Sequence, residues 1–224
     1  MASEFIGWSD EALDLLEQAE AEGVGDAARR DAQEKFVRAP TAELCDALAA
    51  EFGPAHVWHL HRDPYLWRNQ GAELEVADRV GLGVRLSLAG LAVWGGMMRL
   101  APSQLAAYRG AALDGRSGPR LARAVATLVR GGWTLDGDTM KTAPRGVTLN
   151  HPRLELLRHR EVVLRRQWPV GAWLSTAEPL DRVRKAWADL GPVLTWFAQH
   201  LDPTHAGAAD VGLESRSWSS RRRT

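Results

Sequence analysis

The sequence predicts an α+β fold in a single domain, with an antiparallel sheet built from hairpins and helices packed on it. Apolar residues recur at helical spacing near both ends of the chain, and they alternate with period two in its middle. Short turn sequences separate the alternating runs, as in hairpins. Helix and strand signals interleave without a linker, so we predict one domain over residues 1–201. Residues 202–224 are rich in Gly, Ala, Ser and Arg, which predicts a flexible, disordered basic tail.

Three helices are predicted in the first quarter of the chain. The first begins at Ser9 and ends near Gly23, because glycine interrupts helices. The second covers about residues 26–38. Pro40 suits the first position of a third helix, whose apolar residues recur at every fourth position as Leu44, Leu48 and Phe52. That helix should end at residues 53–54, a Gly-Pro pair.

The middle of the chain changes to strand spacing. Residues 57–60 and 82–88 are predicted strands, and the second alternates apolar with other residues, which is typical of a half-buried strand. A turn at residues 89–90 leads into a returning strand over 91–94. Residues 136–138 predict a second hairpin between 134–135 and 139–140, and 161–168 predict a last strand.

Helices are predicted again in the second half of the chain. Pro102 and Pro119 mark two helix starts, and residues 151–160 form a short helix. Ser175 and Glu178 have the spacing of a capping box at the start of the last helix, which extends to about residue 201. Pro192 predicts a kink or break in it.

The charge, the cysteine count and the lengths of the apolar runs exclude several classes of protein. Lys and Arg total 28, as do Asp and Glu, so the electrostatic field of the whole protein favours binding to neither nucleic acid nor an anionic membrane. Cys45 is the only cysteine, which excludes an intramolecular disulfide and a paired-cysteine zinc site. The first residues lack a signal-peptide pattern, and no apolar run is long enough to span a bilayer. We therefore expect a soluble cytoplasmic protein, and no phosphate-loop or dinucleotide fingerprint predicts a cofactor.

Arginines concentrate in the last third of the chain. Because Glu and Asp are interleaved with them, we expect a solvated mixed-charge surface and no nucleic-acid site. The arginines are Arg158, Arg160, Arg165, Arg166, Arg182 and Arg184.

Several sequence blocks resemble a known family. The most specific is Lys141-Thr-Ala-Pro-Arg-Gly-Val147, followed by His-Pro-Arg at 151–153 and Leu-Leu-Arg-His-Arg at 156–160. Residues 5–8, 37–40, 90–96, 102–105 and 108–109 add weaker matches. Together they resemble an uncharacterised bacterial family, domain of unknown function 2461 (DUF2461), over almost the whole chain up to residue 201. The resemblance implies no established function.

The family's central motif is degenerate in this chain. Arg62 and Asp63 match its central Arg-Asp pair. Three cationic positions and a tyrosine are replaced; the residues that differ from the motif are His59, Tyr65, Leu66, Gln70, Gly71 and Leu74. If the family binds an anion through this motif, this member binds it weakly, binds a different ligand or has become a scaffold, and these alternatives stay open.

Four residues are candidate ligand-binding groups: Arg62, Asp63, Lys141 and Arg145. The Arg62 guanidinium could clamp a phosphate or carboxylate while Asp63 orients it, although a structural ion pair would use the same two residues. Lys141 and Arg145 flank a proline in a predicted loop, which could also be a solvated connector. We expect Arg62 and Arg145 to converge on one concave surface, with Lys141 at its rim and His151 there too unless it only caps its helix.

These residues support three hypotheses. The first is a binding module or vestigial enzyme that holds a small anionic or phosphorylated ligand. The second is an active enzyme with Asp63 or His151 as general base. The third is a protein-interaction scaffold without a small-molecule site.

The spacing of His59, His61 and Asp63 resembles the start of a metallo-hydrolase motif. Pro64 stands where the last histidine ligand should be, so we predict no metal site. Among the ten tryptophans, Trp67 is a candidate pocket wall. Those on apolar stripes are predicted core residues: Trp58, Trp94, Trp187 and Trp196.

Overall fold

The computed structural model describes residues 5–23, 25–59 and 68–201. It confirms the predicted α+β fold in a single domain, with helices at both ends and an antiparallel sheet between them. The segment with Arg62 and Asp63, and the predicted tail, lie outside the described residues.

The N-terminal helices follow the prediction. α1 covers Asp10–Glu22, α2 covers Ala27–Gln33, and α3 covers Ala39–Phe52. A π-helical turn, Glu34–Arg38, joins α2 to α3, and Pro40 lies in the first turn of α3, as predicted. The Ala39 amide donates to the Glu34 carbonyl, five residues back. We attribute the continuity to this wider turn, since a proline ring in a regular helix clashes with the carbonyl four residues earlier.

The sheet has six strands in the order β1-β2-β3-β4-β6-β5, and every neighbouring pair is antiparallel. The strands are β1 (His56–Val57), β2 (Asn69–Ala77), β3 (Val80–Ser87), β4 (Gly90–Met97), β5 (Thr134–Asp136) and β6 (Val162–Trp168). The β3–β4 hairpin and β6 confirm the prediction. β6 lies between β4 and β5, so the two ends of the sheet are β1 and β5.

Three strand predictions need correction. β2 was missed. β1 ends at Val57, so the predicted strand over 57–60 is too long within the described residues. The predicted hairpin at 136–138 is wrong, because β5 pairs with β6 and Thr139 makes only an isolated bridge to His159. The Met140 amide donates to the Arg158 carbonyl at 2.8 Å, so this stretch pairs with the chain just before β6.

The helical layer covers one face of the sheet. α7 (Glu178–His200) packs on β2, β3 and β4, and the Trp187 indole donates to the Gly83 carbonyl at 3.3 Å. α7 continues through Pro192, so the predicted break is absent. Its start differs from the predicted capping box: the Glu178 amide donates to the Thr176 hydroxyl, and Ser175 bonds Asp10.

Three more helices complete this layer. α4 (Pro102–Leu113) and α5 (Ser117–Arg130) begin close to the predicted prolines. α6 (Leu154–Arg158) is shorter than the predicted 151–160 helix. The Tyr108 hydroxyl donates to the Leu156 carbonyl at 2.7 Å and ties α4 to α6. No helix within the described ranges is both long and apolar enough to cross a membrane.

The other face of the sheet carries a second, smaller apolar cluster formed by Trp58, Trp94, Met98 and Val163. The indoles of Trp58 and Trp94 lie 6.1 Å apart, and glycines lie beneath them. A Cβ on Gly83 would be 2.2 Å from Trp94, and one on Gly71 would be 2.7 Å from Trp58. β3 is therefore buried on both faces, which corrects the half-buried prediction. The four tryptophans predicted as core residues are all buried.

Candidate anion-binding site

The loop that carries Lys141 and Arg145 is fixed by its backbone. Beyond the Met140–Arg158 hydrogen bond, the Val147 amide donates to the Pro144 carbonyl at 3.0 Å, and Pro144 is buried. Gly146 has a φ of 83°, a conformation that favours glycine. The loop is thus an ordered turn that exposes the side chains of Lys141 and Arg145.

Neither of these two cations is neutralised by a nearby acid. Within the described ranges, Lys141 and Arg145 form no ion pair. Asp138, which precedes the loop, is 2.8 Å from the Arg160 guanidinium. The acid closest in sequence is therefore already paired with another arginine.

Two further arginines lie beside this loop. Arg109, on α4, donates from Nη2 to the thioether sulfur of Met140 at 2.9 Å. Arg158 ends α6, and its carbonyl accepts the Met140 amide. Both side chains are half-buried, and the Nε of each is buried with no hydrogen-bond partner among the described residues. We call Arg109, Met140, Lys141 and Arg158 the Met140 cluster.

Sequence reasoning did not select Arg109 or Arg158 as site residues. The available signal was their place in family-like blocks, at 108–109 and 156–160. Their proximity depends on α4 packing against α6, which sequence spacing does not encode.

Other polar residues near the loop have structural roles. Arg153 donates from Nε to the Ala112 carbonyl at 2.8 Å and so binds the end of α4. The His151 ring accepts the Arg153 amide through Nδ1 at 3.2 Å. His151 accepts from the residue that precedes α6 and not from an amide of its first turn, so it does not cap this helix. In the neutral ring the contact leaves the proton on Nε2. A role for His151 as general base stays a prediction.

Arg62 and Asp63 lie outside the described residues, as do His61 and Trp67. The flanking topology is clear: β1 and β5 are opposite edges of the sheet, which six strands spaced about 4.8 Å apart would separate by about 24 Å. β1 runs toward the sheet end that holds Asn69, whereas the Lys141 loop lies near the start of β6. Convergence of Arg62 with Arg145 therefore stays a prediction.

The structure also describes part of the predicted histidine motif and the arginines of the C-terminal third. His59 is exposed, and its ring lies 6.1 Å from that of His56. Within residues 5–23, 25–59 and 68–201, no group of three His, Cys, Asp or Glu side chains could hold a metal ion. Several arginines of the C-terminal third are paired with acids, in agreement with a mixed-charge surface; the pairs are Arg160–Asp138, Arg165–Asp136, Arg182–Glu178 and Arg184 with Glu51 and Asp181.

Comparison with known proteins agrees with the sequence resemblance over residues 66–196. No curated protein matches the chain. A family model described as a conserved hypothetical protein matches residues 66–196, which is more than half of the 224 residues. The match includes the whole Met140 cluster and Arg145, whereas Arg62 and Asp63 precede it. The chain therefore belongs to the DUF2461 family.

Proposed function

We propose that the protein is a binding module or vestigial enzyme that holds a small anionic or phosphorylated ligand, with Lys141 and Arg145 as contacts. The observation that carries the proposal is the pair of exposed cations on a backbone-anchored loop, without an ion-pair partner in the described part of the chain. Because like charges repel, a bound anion would lower the energy of this arrangement.

The loop also suits an anion sterically. Gly146 lacks a side chain, so a ligand oxygen can approach the backbone closely. Anchoring at Met140 and Val147 keeps the loop in place before binding, which reduces the entropy lost on association. Both features favour a compact ligand rich in acceptor oxygens.

Arg62 and Asp63 form the second part of the proposal. The family resemblance supports an Arg62 contact with the same ligand, with Asp63 as the residue that orients it. We also propose a cytoplasmic location and no nucleic-acid partner, which the zero formal charge supports.

Thermal denaturation in different salts tests the main proposal. Phosphate or sulfate should raise the Tm more than chloride at equal ionic strength, because a ligand that binds the folded state stabilises it. At a concentration of 100 Kd, the gain is roughly 2.7 kcal/mol, or about 5 to 10 °C for a domain of this size. Lys141→Ala and Arg145→Ala should each reduce the difference.

Lys185→Ala is the matched control, since Lys185 is an exposed lysine on α7 that pairs with Asp189. It should leave the phosphate effect intact. Equal effects of phosphate and chloride on the unsubstituted protein would refute the proposal. Arg62→Ala tests the second part separately, and an unchanged phosphate effect would remove Arg62 from the site.

A further inference from the structure

We infer that Arg109 and Arg158 form the inner wall of this site and that its ligand class is a phosphate monoester. The inference rests on the proposed function, because it assumes that the Lys141 loop binds an anion. Three observations carry it: the acceptor that Arg109 uses, the buried Nε atoms, and the ratio of cations to carboxylates.

Arg109 uses a weak acceptor. Its guanidinium donates to the Met140 sulfur at 2.9 Å, and a thioether is a poor hydrogen-bond acceptor compared with an oxygen. A phosphate oxygen would satisfy Arg109 better than Met140 does. The side chain is therefore placed at the loop without having found a strong partner there.

The buried Nε atoms of Arg109 and Arg158 point to a missing acceptor. Both are shielded from solvent and have no partner among the described residues. Buried polar atoms without a partner are rare in folded proteins and need a specific explanation, such as a bound ion or ligand. Arg109 contacts Met140 through its guanidinium, and Arg158 contacts it through its backbone carbonyl, so both residues adjoin the loop at which we infer a shared ligand.

The positions of the two arginines are fixed before any ligand binds. The Tyr108 hydroxyl bonds the Leu156 carbonyl at 2.7 Å, one residue from Arg109 and two from Arg158. Burial raises the pKa of Tyr108, so this hydroxyl remains a donor at neutral pH. This bond therefore fixes α4 relative to α6, and with them the backbone positions of Arg109 and Arg158.

The ligand class follows from charge and geometry. The Met140 cluster holds three cations, and none of them forms an ion pair within the described residues. A carboxylate supplies one negative charge and two oxygens, whereas a phosphate monoester carries roughly 1.5 to 2 charges at pH 7 and three terminal oxygens. Arginine also matches phosphate through bidentate hydrogen bonds. The monoester therefore fits the cluster better.

Isothermal titration with phenyl phosphate and benzoate tests the inference, since both probes carry a phenyl ring. The protein should bind phenyl phosphate at least tenfold more tightly than benzoate. Arg109→Gln and Arg158→Gln should each weaken phenyl phosphate binding about tenfold or more. The control Arg130→Gln should not change binding, because Arg130 is exposed on α5 and bonds only Thr127 among the described residues.

Arg109→Lys and Arg158→Lys keep the charge and protect the test against a folding defect in the Gln variants. Both should bind phenyl phosphate more weakly than the unsubstituted protein, because lysine lacks the bidentate geometry. Equal binding of benzoate would overturn the ligand class. Normal binding by the Arg109 and Arg158 variants, with weaker binding by Lys141→Ala, would overturn the inner wall and leave the proposed function standing. No binding of phosphate, sulfate or either probe would refute both.

Discussion

Substitution of Gly83 by alanine should destabilise the fold through one side chain. Gly83 lies in the middle of β3, and the Trp94 indole covers it on the sheet face opposite the helices. A Cβ would be 2.2 Å from both Cε2 and Cζ2 of Trp94 and 2.8 Å from Nε1. Contacts under 3.0 Å essentially never occur for real Cβ atoms, so the indole must move.

The movement has little room. Trp94 is only 1 % exposed and packs in the same cluster as Trp58, Met98 and Val163. Excess volume in a packed core typically costs about 1 to 3 kcal/mol. For a domain of this size, 1 kcal/mol corresponds to roughly 2 to 4 °C in Tm, so Gly83→Ala should lower the Tm by about 2 to 12 °C.

Thermal and urea unfolding would measure the effect, with Gly110→Ala as the matched control. Gly110 is an exposed position inside α4, where a Cβ would meet nothing within 4 Å. The same substitution there should stabilise the protein by about 1 kcal/mol, because alanine has the higher helix propensity. Trp94→Phe combined with Gly83→Ala should cost less than the sum of the single changes. An unchanged Tm for Gly83→Ala would refute the steric argument.

Three further outcomes follow from buried or hydrogen-bonded polar groups. Burial, and then the charge of Asp46, raises the pKa of Cys45 from 9.0 to about 12. The protonated thiol therefore contributes its full stabilisation below pH 9, and this contribution is lost as the pH rises toward 12. In urea unfolding, the free energy of unfolding of Cys45→Ala should fall less between pH 9 and 12 than that of the unsubstituted protein. Hydrogen bonds from the Ser117 amide, and then the Arg116 amide, lower the pKa of Asp114 from 3.8 to about 2, so the stability difference between the unsubstituted protein and Asp114→Ala should shrink as the pH falls from 4 to 2. Gln33 is buried with neither amide atom bonded among the described residues, so Gln33→Met should stabilise the fold by roughly 1 kcal/mol; destabilisation would indicate a water or ligand bound to the amide.

Periodicity was sufficient to predict the elements whose local pattern agrees with their surroundings. α1 is of this kind, since it buries the face that its apolar spacing indicates, whereas the β3–β4 hairpin was placed correctly by its turn although both of its strands are buried on both faces. β2 escaped prediction because Gly71, Glu73 and Glu75 occupy alternate positions where β-branched residues would mark a strand. Its pairing with β3 supplies the stability that its own composition does not indicate.

Pro192 misled the prediction for a different reason. It suggested a kink or break, yet α7 is continuous through it. The local cost of a proline inside a helix is here outweighed by the burial of a long apolar stripe along α7. The spacing of residues alone cannot show which of the two effects is larger.

The candidate site was predictable only in the part that is local in sequence. Lys141 and Arg145 share one loop, and family-like residues surround them. Arg109 and Arg158 are far apart in the sequence and reach Met140 only through the packing of α4 on α6. A site assembled by tertiary contacts leaves no pattern of spacing in a single sequence.

The position of α7 at the end of the described chain has a consequence for biosynthesis. Translation proceeds from the N-terminus, and α7 supplies buried residues against three strands that are made long before it. A nascent chain that ends before residue 178 would expose the apolar helix-side face of β3 and β4 to solvent. We therefore expect that the protein completes folding only when α7 has left the ribosome. Chains truncated before α7 should accumulate as insoluble aggregates or be bound by chaperones.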